Sequence, residues 1–254
     1  MDTTTKIALV TGGSRGLGKN MALALAAKGL DVIITYHTNL PEADKVIAAI
    51  EASGRRAFAL QLDTGNTASF EPFIKELTAL LEEKMGCPYF DFLINNAGTA
   101  LYAPVTETTG EQLDAIFNIH YKGVFFLTQK ALPYLREGGG IVNISSGLVR
   151  ITMPGSSVYA SMKAAVEVLT RYLAKELGPR RIRANVVAPG AIETDFGGGR
   201  VRDNKEINDN IAAITALGRV GLPDDIGGVV AFLCTPEAGW INAQRIEVSG
   251  GQAI

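Results

Sequence analysis

Ile7-Ala8-Leu9-Val10-Thr11-Gly12-Gly13-Ser14-Arg15-Gly16-Leu17-Gly18 is the stretch that decides the architecture. A short apolar run ends in a glycine-rich turn and passes at once into helical spacing, so it reads as strand, turn and helix. Glycines in such a turn let the backbone bend tightly and let its amides approach a pyrophosphate. The helix N-terminus adds about half a positive charge facing that anion. A glycine turn alone is a weak signal. In the first strand–turn–helix unit of a chain it points to a dinucleotide.

The same alternation runs outward from this segment to the far end of the chain. Strands are predicted at 7–11, 32–35, 56–60, 92–94, 141–145, 183–187 and 245–248. Helices are predicted at 18–28, 41–53, 69–84, 111–136, 159–177 and 224–233. Most of the strands are near-continuously apolar, as expected of strands covered on both faces. The pattern predicts an α/β fold with a doubly wound, seven-stranded parallel sheet in the three-layer Rossmann arrangement. No linker or composition shift divides residues 1–254, which read as one dinucleotide-binding domain. From 193 to 210 the chain turns polar, contains Gly197-Gly198-Gly199, and reads as a mobile loop with a short helix following. A long loop in a compact domain is more often a lid than a linker, so 194–215 is expected to be a flexible substrate-binding lid with the glycines as its hinge.

Composition excludes several classes of function. The 254 residues carry 24 Lys and Arg against 26 Asp and Glu, a formal net charge of −2. That balance lacks the basic stripe that nucleic-acid binding requires. At 47% hydrophobic residues the chain is not disordered. Cys87 and Cys234 lie far apart with no metal-ligand spacing, and read as two thiols of a reducing compartment. No uncharged apolar run reaches the roughly 18 to 20 residues of a membrane span. The start, Met1 to Lys6, carries an acid and is no secretory leader, so a cytoplasmic location is expected.

Further motifs extend the glycine turn into a pattern. Thr11-Gly12-x-x-x-Gly16-x-Gly18 is followed by Asn95-Asn96-Ala97-Gly98, by Ser146 thirteen residues before Tyr159, and by Tyr159-Ala160-Ser161-Met162-Lys163. Pro189-Gly190-Ala191-Ile192-Glu193-Thr194 and Ser249-Gly250-Gly251 complete it. In order and spacing, over essentially the whole chain, these resemble the short-chain dehydrogenase/reductase family. The resemblance implies an oxidoreductase that moves a hydride between a nicotinamide cofactor and a ketone or secondary alcohol. It implies that Gly12, Ser14, Gly16, Leu17 and Gly18 meet the phosphates and that Asp63 meets the adenine. Asn95, Ala97 and Gly98 would line the adenosine-ribose side, and Pro189, Gly190, Ile192 and Thr194 the nicotinamide. It also implies a homotetramer built through 111–136, 159–177 and 240–254.

Charge at the adenosine ribose sets the cofactor. An acid at the end of the second strand would bond the ribose hydroxyls of NAD and repel a 2′-phosphate. That place holds Tyr36, followed by His37 and Thr38, with no carboxylate. Arg15 stands where NADP-preferring members of the family place a basic residue, and can pair a phosphate bidentately, with His37 assisting if protonated. NADP(H) is therefore expected in preference to NAD(H).

The chemistry falls to Tyr159 and Lys163, one helical turn apart on one face. A free phenol with pKa about 10 is a poor acid or base at neutrality, and the lysine cation is expected to lower it. Ser146 would orient the carbonyl and stabilise developing charge, with Ser145 as a packing neighbour. The family's relay asparagine is replaced here by His120, in His120-Tyr121-Lys122-Gly123-Val124-Phe125. Imidazole bonds water and titrates in the physiological range, so His120 is read as its functional substitute. The expected reaction is NADPH-dependent reduction of a small-molecule carbonyl, or its reverse. A 3-oxoacyl-carrier-protein reductase docking through Arg136, Arg180 and Arg181 stays open. So do an NAD-linked sugar or polyol dehydrogenase and a non-catalytic dinucleotide-binding regulator. An enoyl reductase is disfavoured, because that chemistry in related proteins uses a longer Tyr–Lys spacing.

Overall fold

The computed structural model describes residues 5–254; the Met1–Thr4 start, and most of the leader reading with it, lies outside the described residues. Seven strands, β1 (Ile7–Val10), β2 (Asp31–Tyr36), β3 (Ala57–Gln61), β4 (Phe90–Asn95), β5 (Leu135–Ile144), β6 (Arg183–Pro189) and β7 (Arg245–Val248), form one sheet. Their order is β3-β2-β1-β4-β5-β6-β7, and every pairing is parallel. Nine helices among the described residues connect them: α1 (Gly16–Ala27), α2 (Leu40–Ala52), α3 (Phe70–Met85), α4 (Gly110–Phe117), α5 (Gly123–Ala131), α6 (Ser157–Glu176), α7 (Arg200–Asp203), α8 (Lys205–Ala213) and α9 (Asp224–Leu233).

Strand parity divides the core in two. Ala8 and Val10 of β1 face α1, α2 and α9, where Met21, Leu25, Val46, Ile50 and Val230 are buried. Ile7 and Leu9 face the opposite layer, with Phe73, Leu77 and Leu81 of α3, Leu127 of α5 and Ala174 of α6. Both faces are thus covered, which is why the strands carry no polar alternation. Strand order reverses between β1 and β4, and that switch point opens a crevice at the carboxyl ends of the strands. Everything the site uses emerges at that edge.

Two predicted elements differ. The helix expected over 111–136 is three pieces: α4, a π-helical turn at Asn118–Lys122, and α5. A Cβ on Gly123 would sit 2.1 Å from the Thr64 carbonyl oxygen, so the helix packs there by its bare backbone. It ends at Ala131 because Pro133 has no N–H to continue the ladder, and the chain from Leu135 joins β5. The stretch read as a loop at 193–210 is mostly helical: a turn at Phe196–Gly199, then α7 and α8. Asn204 caps α8, its side-chain oxygen accepting from the Ile207 amide at 3.0 Å, a stop-and-start signal hidden among polar residues. No helix of the described residues is long and apolar enough to cross a membrane.

Candidate active site

Above the switch point lies a cavity of about 810 Å³, walled by the turns after β1, β4, β5 and β6 and by the α7–α8 segment. At one end is the glycine turn. Gly16 has φ +54°, a left-handed conformation that turns the chain into α1. A Cβ on Gly18 would lie 2.1 Å from the Gly12 carbonyl oxygen, so only glycine lets the helix close onto its own turn. Asn96 ties this turn to β4, donating to the carbonyls of Thr11 at 2.9 Å and Gly12 at 3.2 Å. Thr11 Oγ1 in turn accepts from the amides of Asn96 and Ala97, both at 3.0 Å. Gly12, Ser14, Arg15, Gly16, Leu17 and Gly18 all line the cavity, as do His37, Asp63, Ala97, Gly98, Pro189, Gly190, Ile192 and Thr194.

Two expected residues point elsewhere. Asn95 is buried and donates to Thr128 Oγ1 at 3.1 Å and Asn143 Oδ1 at 2.8 Å. It joins β4 to β5 and α5, whereas its neighbour Asn96 lines the cavity. Consecutive strand residues face opposite sides, and the motif alone does not say which asparagine faces the crevice. Tyr36 packs against the α1–α2 core, leaving Thr35 and His37 at the cavity wall. His37 Nε2 lies 3.8 Å from Asp63 Oδ2, so the two are neighbours across the adenosine end. The Arg15 side chain makes no hydrogen bond or ion pair among the described residues, its backbone carbonyl accepting from the Lys19 amide at 3.1 Å.

The end of β5 and α6 carry the candidate catalytic side chains. Ser146 and Tyr159 both face the cavity, and Tyr159 is buried. Burial pushes its phenol above the ordinary value, with hydrogen bonding to Ser146 pulling the other way. Lys163 lies deeper, its Nζ donating to the Ile144 carbonyl at 2.7 Å and standing 5.6 Å from the Tyr159 ring centroid. Burial brings its ammonium down to about 8. The expectation that the lysine lowers the tyrosine is therefore reversed: burial acts on both and keeps the phenol protonated at neutral pH. Ser145 is engaged elsewhere, donating to Glu167 Oε1 at 2.6 Å. Arg245 Nε donates to the same oxygen at 2.8 Å.

His120 sits in the π-helical turn, fully buried, with its ring centroid 5.1 Å from that of Tyr159 at 85°. Its Nε2 lies 2.7 Å from the Thr99 carbonyl oxygen and 3.2 Å from the Thr99 amide nitrogen, and the shorter of the two contacts favours the proton on Nε2. Nδ1 is then a bare acceptor, buried and without a partner in the structure. Burial and the charge of Lys163 hold the imidazole down to about 3. The ring accordingly does not titrate in the physiological range, contrary to the sequence expectation. Gly98 makes room for it, since a Cβ there would fall 2.6 Å from His120 Cε1.

The opposite end of the cavity is largely apolar. Leu148, Ile151, Met153, Phe196, Val201 and Ile207 line it. Tyr102, Arg200, Asn210 and Gln252 line the cavity too and were missed. They lie outside every motif, and only the folding of the α7–α8 segment over the sheet edge brings Arg200 against Tyr102. Among the described residues no group of three or more His, Cys, Asp or Glu side chains could hold a metal ion.

Comparison with known proteins places this geometry among reductases. The family profile described as enoyl-(acyl carrier protein) reductase matches residues 12–253. The hydroxynaphthalene reductase-like protein Arp2 of Metarhizium brunneum is 37% identical over 258 residues, covering 97% of this chain and 94% of that protein. The solved structure of LugOII, a promiscuous reductase catalysing keto-reduction at C1 in lugdunomycin biosynthesis, superposes with TM-score 0.94 at 38% identity over 100% of both chains. The landomycin C-6 ketoreductase LanV, solved with bound NADP and rabelomycin, gives TM-score 0.90 at 35% identity, covering 98% of this chain and 97% of its own.

Proposed function

The chain belongs to the short-chain dehydrogenase/reductase family, and from that premise we propose that it is an NADP(H)-dependent ketoreductase acting on a planar, largely apolar ketone. The observation that carries this reading is Tyr159: a buried phenol that shares with Ser146 the wall of a cavity with a glycine turn at one end and apolar side chains at the other. The left-handed Gly16 and the close-packed Gly18 suit a pyrophosphate against the first turn of α1. Gly12, Ser14, Arg15, Gly16, Leu17 and Gly18 would hold the phosphates, and Asp63, Ala97 and Gly98 the adenosine. Pro189, Gly190, Ile192 and Thr194 would hold the nicotinamide. When bound, the reduced cofactor supplies a hydride to the carbonyl carbon. The absence of a carboxylate after β2 and the unpartnered Arg15 favour NADP(H) over NAD(H).

Tyr159 gives its proton to the carbonyl oxygen as charge develops there, and Ser146 donates a hydrogen bond to the same oxygen. Lys163 stands next in line for the proton that replaces the one given, with His120 Nδ1 a fixed neutral acceptor beside them. The α7–α8 segment covers the apolar end and excludes water. Phe196, whose ring centroid is 5.8 Å from that of Tyr159, forms its nearest edge. The hydroxynaphthalene reductase-like relatives and the rabelomycin bound to LanV support an aromatic ketone as substrate. A carrier-protein substrate is less well supported. Arg180 donates to the carbonyls of Leu132 and Leu135, Arg136 to Cys87 Sγ, and Arg181 lies 3.7 Å from Glu137, so this basic cluster serves the fold. Exposed Phe125, Phe126, Val168, Tyr172 and Trp240 support assembly of copies of the chain, which a mass measurement in solution tests.

The test is the initial rate of NADPH oxidation with 2-tetralone, run beside NADH and beside Tyr159→Phe. Turnover that prefers NADPH and is lost in the variant is expected. Preference for NADH would remove the role given to Arg15, and no turnover of aromatic ketones despite dinucleotide binding would overturn the ketoreductase reading.

A further inference from the structure

Two arginines line the cavity, Arg15 at the glycine turn and Arg200 at the apolar end. Neither makes an ion pair or a side-chain hydrogen bond within the described residues. Arg15 answers to the phosphate end of the site. Arg200 has no such explanation, and its surroundings hold it ready. Its guanidinium carbon lies 4.7 Å from the centroid of the Tyr102 ring, a cation–π contact that fixes the plane of the group while leaving its five N–H donors free. The acid nearest in sequence on the cavity wall, Asp195, is held by Arg202, which also binds Asp203 at 2.7 Å. Glu193 accepts from Asn208 at 2.7 Å. The neighbouring carboxylates are therefore committed, and the one unneutralised cation of the substrate end remains facing the cavity with Tyr102 and Phe196.

We propose that Arg200 is a specificity residue that pairs with an ionised oxygen group, a carboxylate or a phenolate, carried on the aromatic ring system remote from the reacting carbonyl. The inference rests on the ketoreductase reading for which end of the cavity holds substrate. The guanidinium lies over the Tyr102 ring, and its fork matches the paired oxygens of an anionic group carried on an incoming ring. Arg200 and Tyr102 both stand exposed at the mouth of the cavity, so the pairing is charge-assisted but partly screened by solvent.

The experiment is calorimetric titration of the NADP-loaded protein with 2-naphthoate, with its neutral analogue 2-naphthalenemethanol, and with 2-naphthol at pH values either side of its ionisation. Naphthoate is expected to bind on the order of tenfold more tightly than the alcohol. That ratio should fall toward one in Arg200→Gln, be partly kept in Arg200→Lys, and shrink with added salt. Naphthol that tightens on ionisation only when Arg200 is present would assign phenolates; naphthoate discrimination alone would assign carboxylates. Equal affinity for acid and alcohol in the wild type, or a ratio untouched by Arg200→Gln, would overturn the proposal. Because binding is read without turnover, discrimination that survives a failed ketone assay separates this inference from the reaction assigned above.

Discussion

The imidazole of His120 meets the Tyr159 ring edge-on, with ring centroids 5.1 Å apart, while its Nε2 is anchored 2.7 Å from the Thr99 carbonyl. A histidine held this way is a scaffold for the phenol and cannot swing. Its burial has a thermodynamic consequence. The folded imidazole is held to about 3, against about 6.5 in the unfolded chain. Between those values the unfolded state binds a proton that the native state does not, so stability is full above about pH 6.5 and is lost as pH falls. Urea unfolding between pH 7 and 4 should show this slope, and His120→Asn should remove up to about 1.4 kcal/mol per pH unit of it. Parallel curves for the two proteins would contradict the buried neutral ring.

Tyr159→Phe removes the one proton donor that faces the cavity beside Ser146 while keeping ring volume. Ketone reduction should fall by about 10²-fold or more. NADPH affinity, read by fluorescence of the bound cofactor, should change little. A variant retaining most of its rate would transfer the acid to water or to another group.

Arg15 caps the start of α1 with no partner of its own. Charge-assisted bonds to a phosphate contribute about 1.5–3 kcal/mol. Arg15→Gln should therefore lower kcat/KM with NADPH by roughly ten- to hundredfold and leave the value with NADH nearly unchanged.

Arg245 binds Glu167 at 2.8 Å and Glu247 at 2.8 Å, and Glu247 is held at about 2 chiefly by Arg150. Glu167 also accepts from Ser145, the neighbour of Ser146, which is proposed to bond the substrate carbonyl. Arg245→Met leaves Glu167 with a hydroxyl as its remaining partner in this arrangement, and should cost about 2 kcal/mol in denaturant unfolding, below the figure for a fully buried pair because the arginine is partly exposed. A loss within error would mean that water replaces the guanidinium.

Gly197 has φ +63°, and a Cβ there would stand 2.8 Å from the Tyr102 hydroxyl oxygen. Gly197→Ala strains the backbone and pushes the α7–α8 segment off Tyr102. Ketone KM should rise several-fold while NADPH affinity stays within about twofold, since the strain lies at the substrate end. An unchanged KM would show that this turn yields without moving the cavity wall.

The sequence by itself determined the seven-stranded parallel sheet and marked Ser146, Tyr159 and Lys163 as the candidate catalytic set. The sheet rests on local rules, apolar runs and a glycine turn before a helix; the candidate set rests on the family resemblance together with the one-turn spacing of Tyr159 and Lys163 on α6. Each of these local rules is a property of neighbours in the chain. What the tertiary structure decided was direction and dielectric. Parity along β4 sends Asn95 inward and Asn96 to the crevice, and the core around α2 takes Tyr36 from the wall. Burial, contributed by residues scattered along the chain, raises Tyr159, lowers Lys163 and keeps His120 neutral, where spacing alone suggested a lysine-activated phenol and a titrating histidine. Arg200 carries no motif at all. It meets Tyr102 only because a polar stretch read as loop, capped by Asn204, folds as helix across the mouth of the sheet, and contacts between residues so far apart in the chain leave no periodic trace in it.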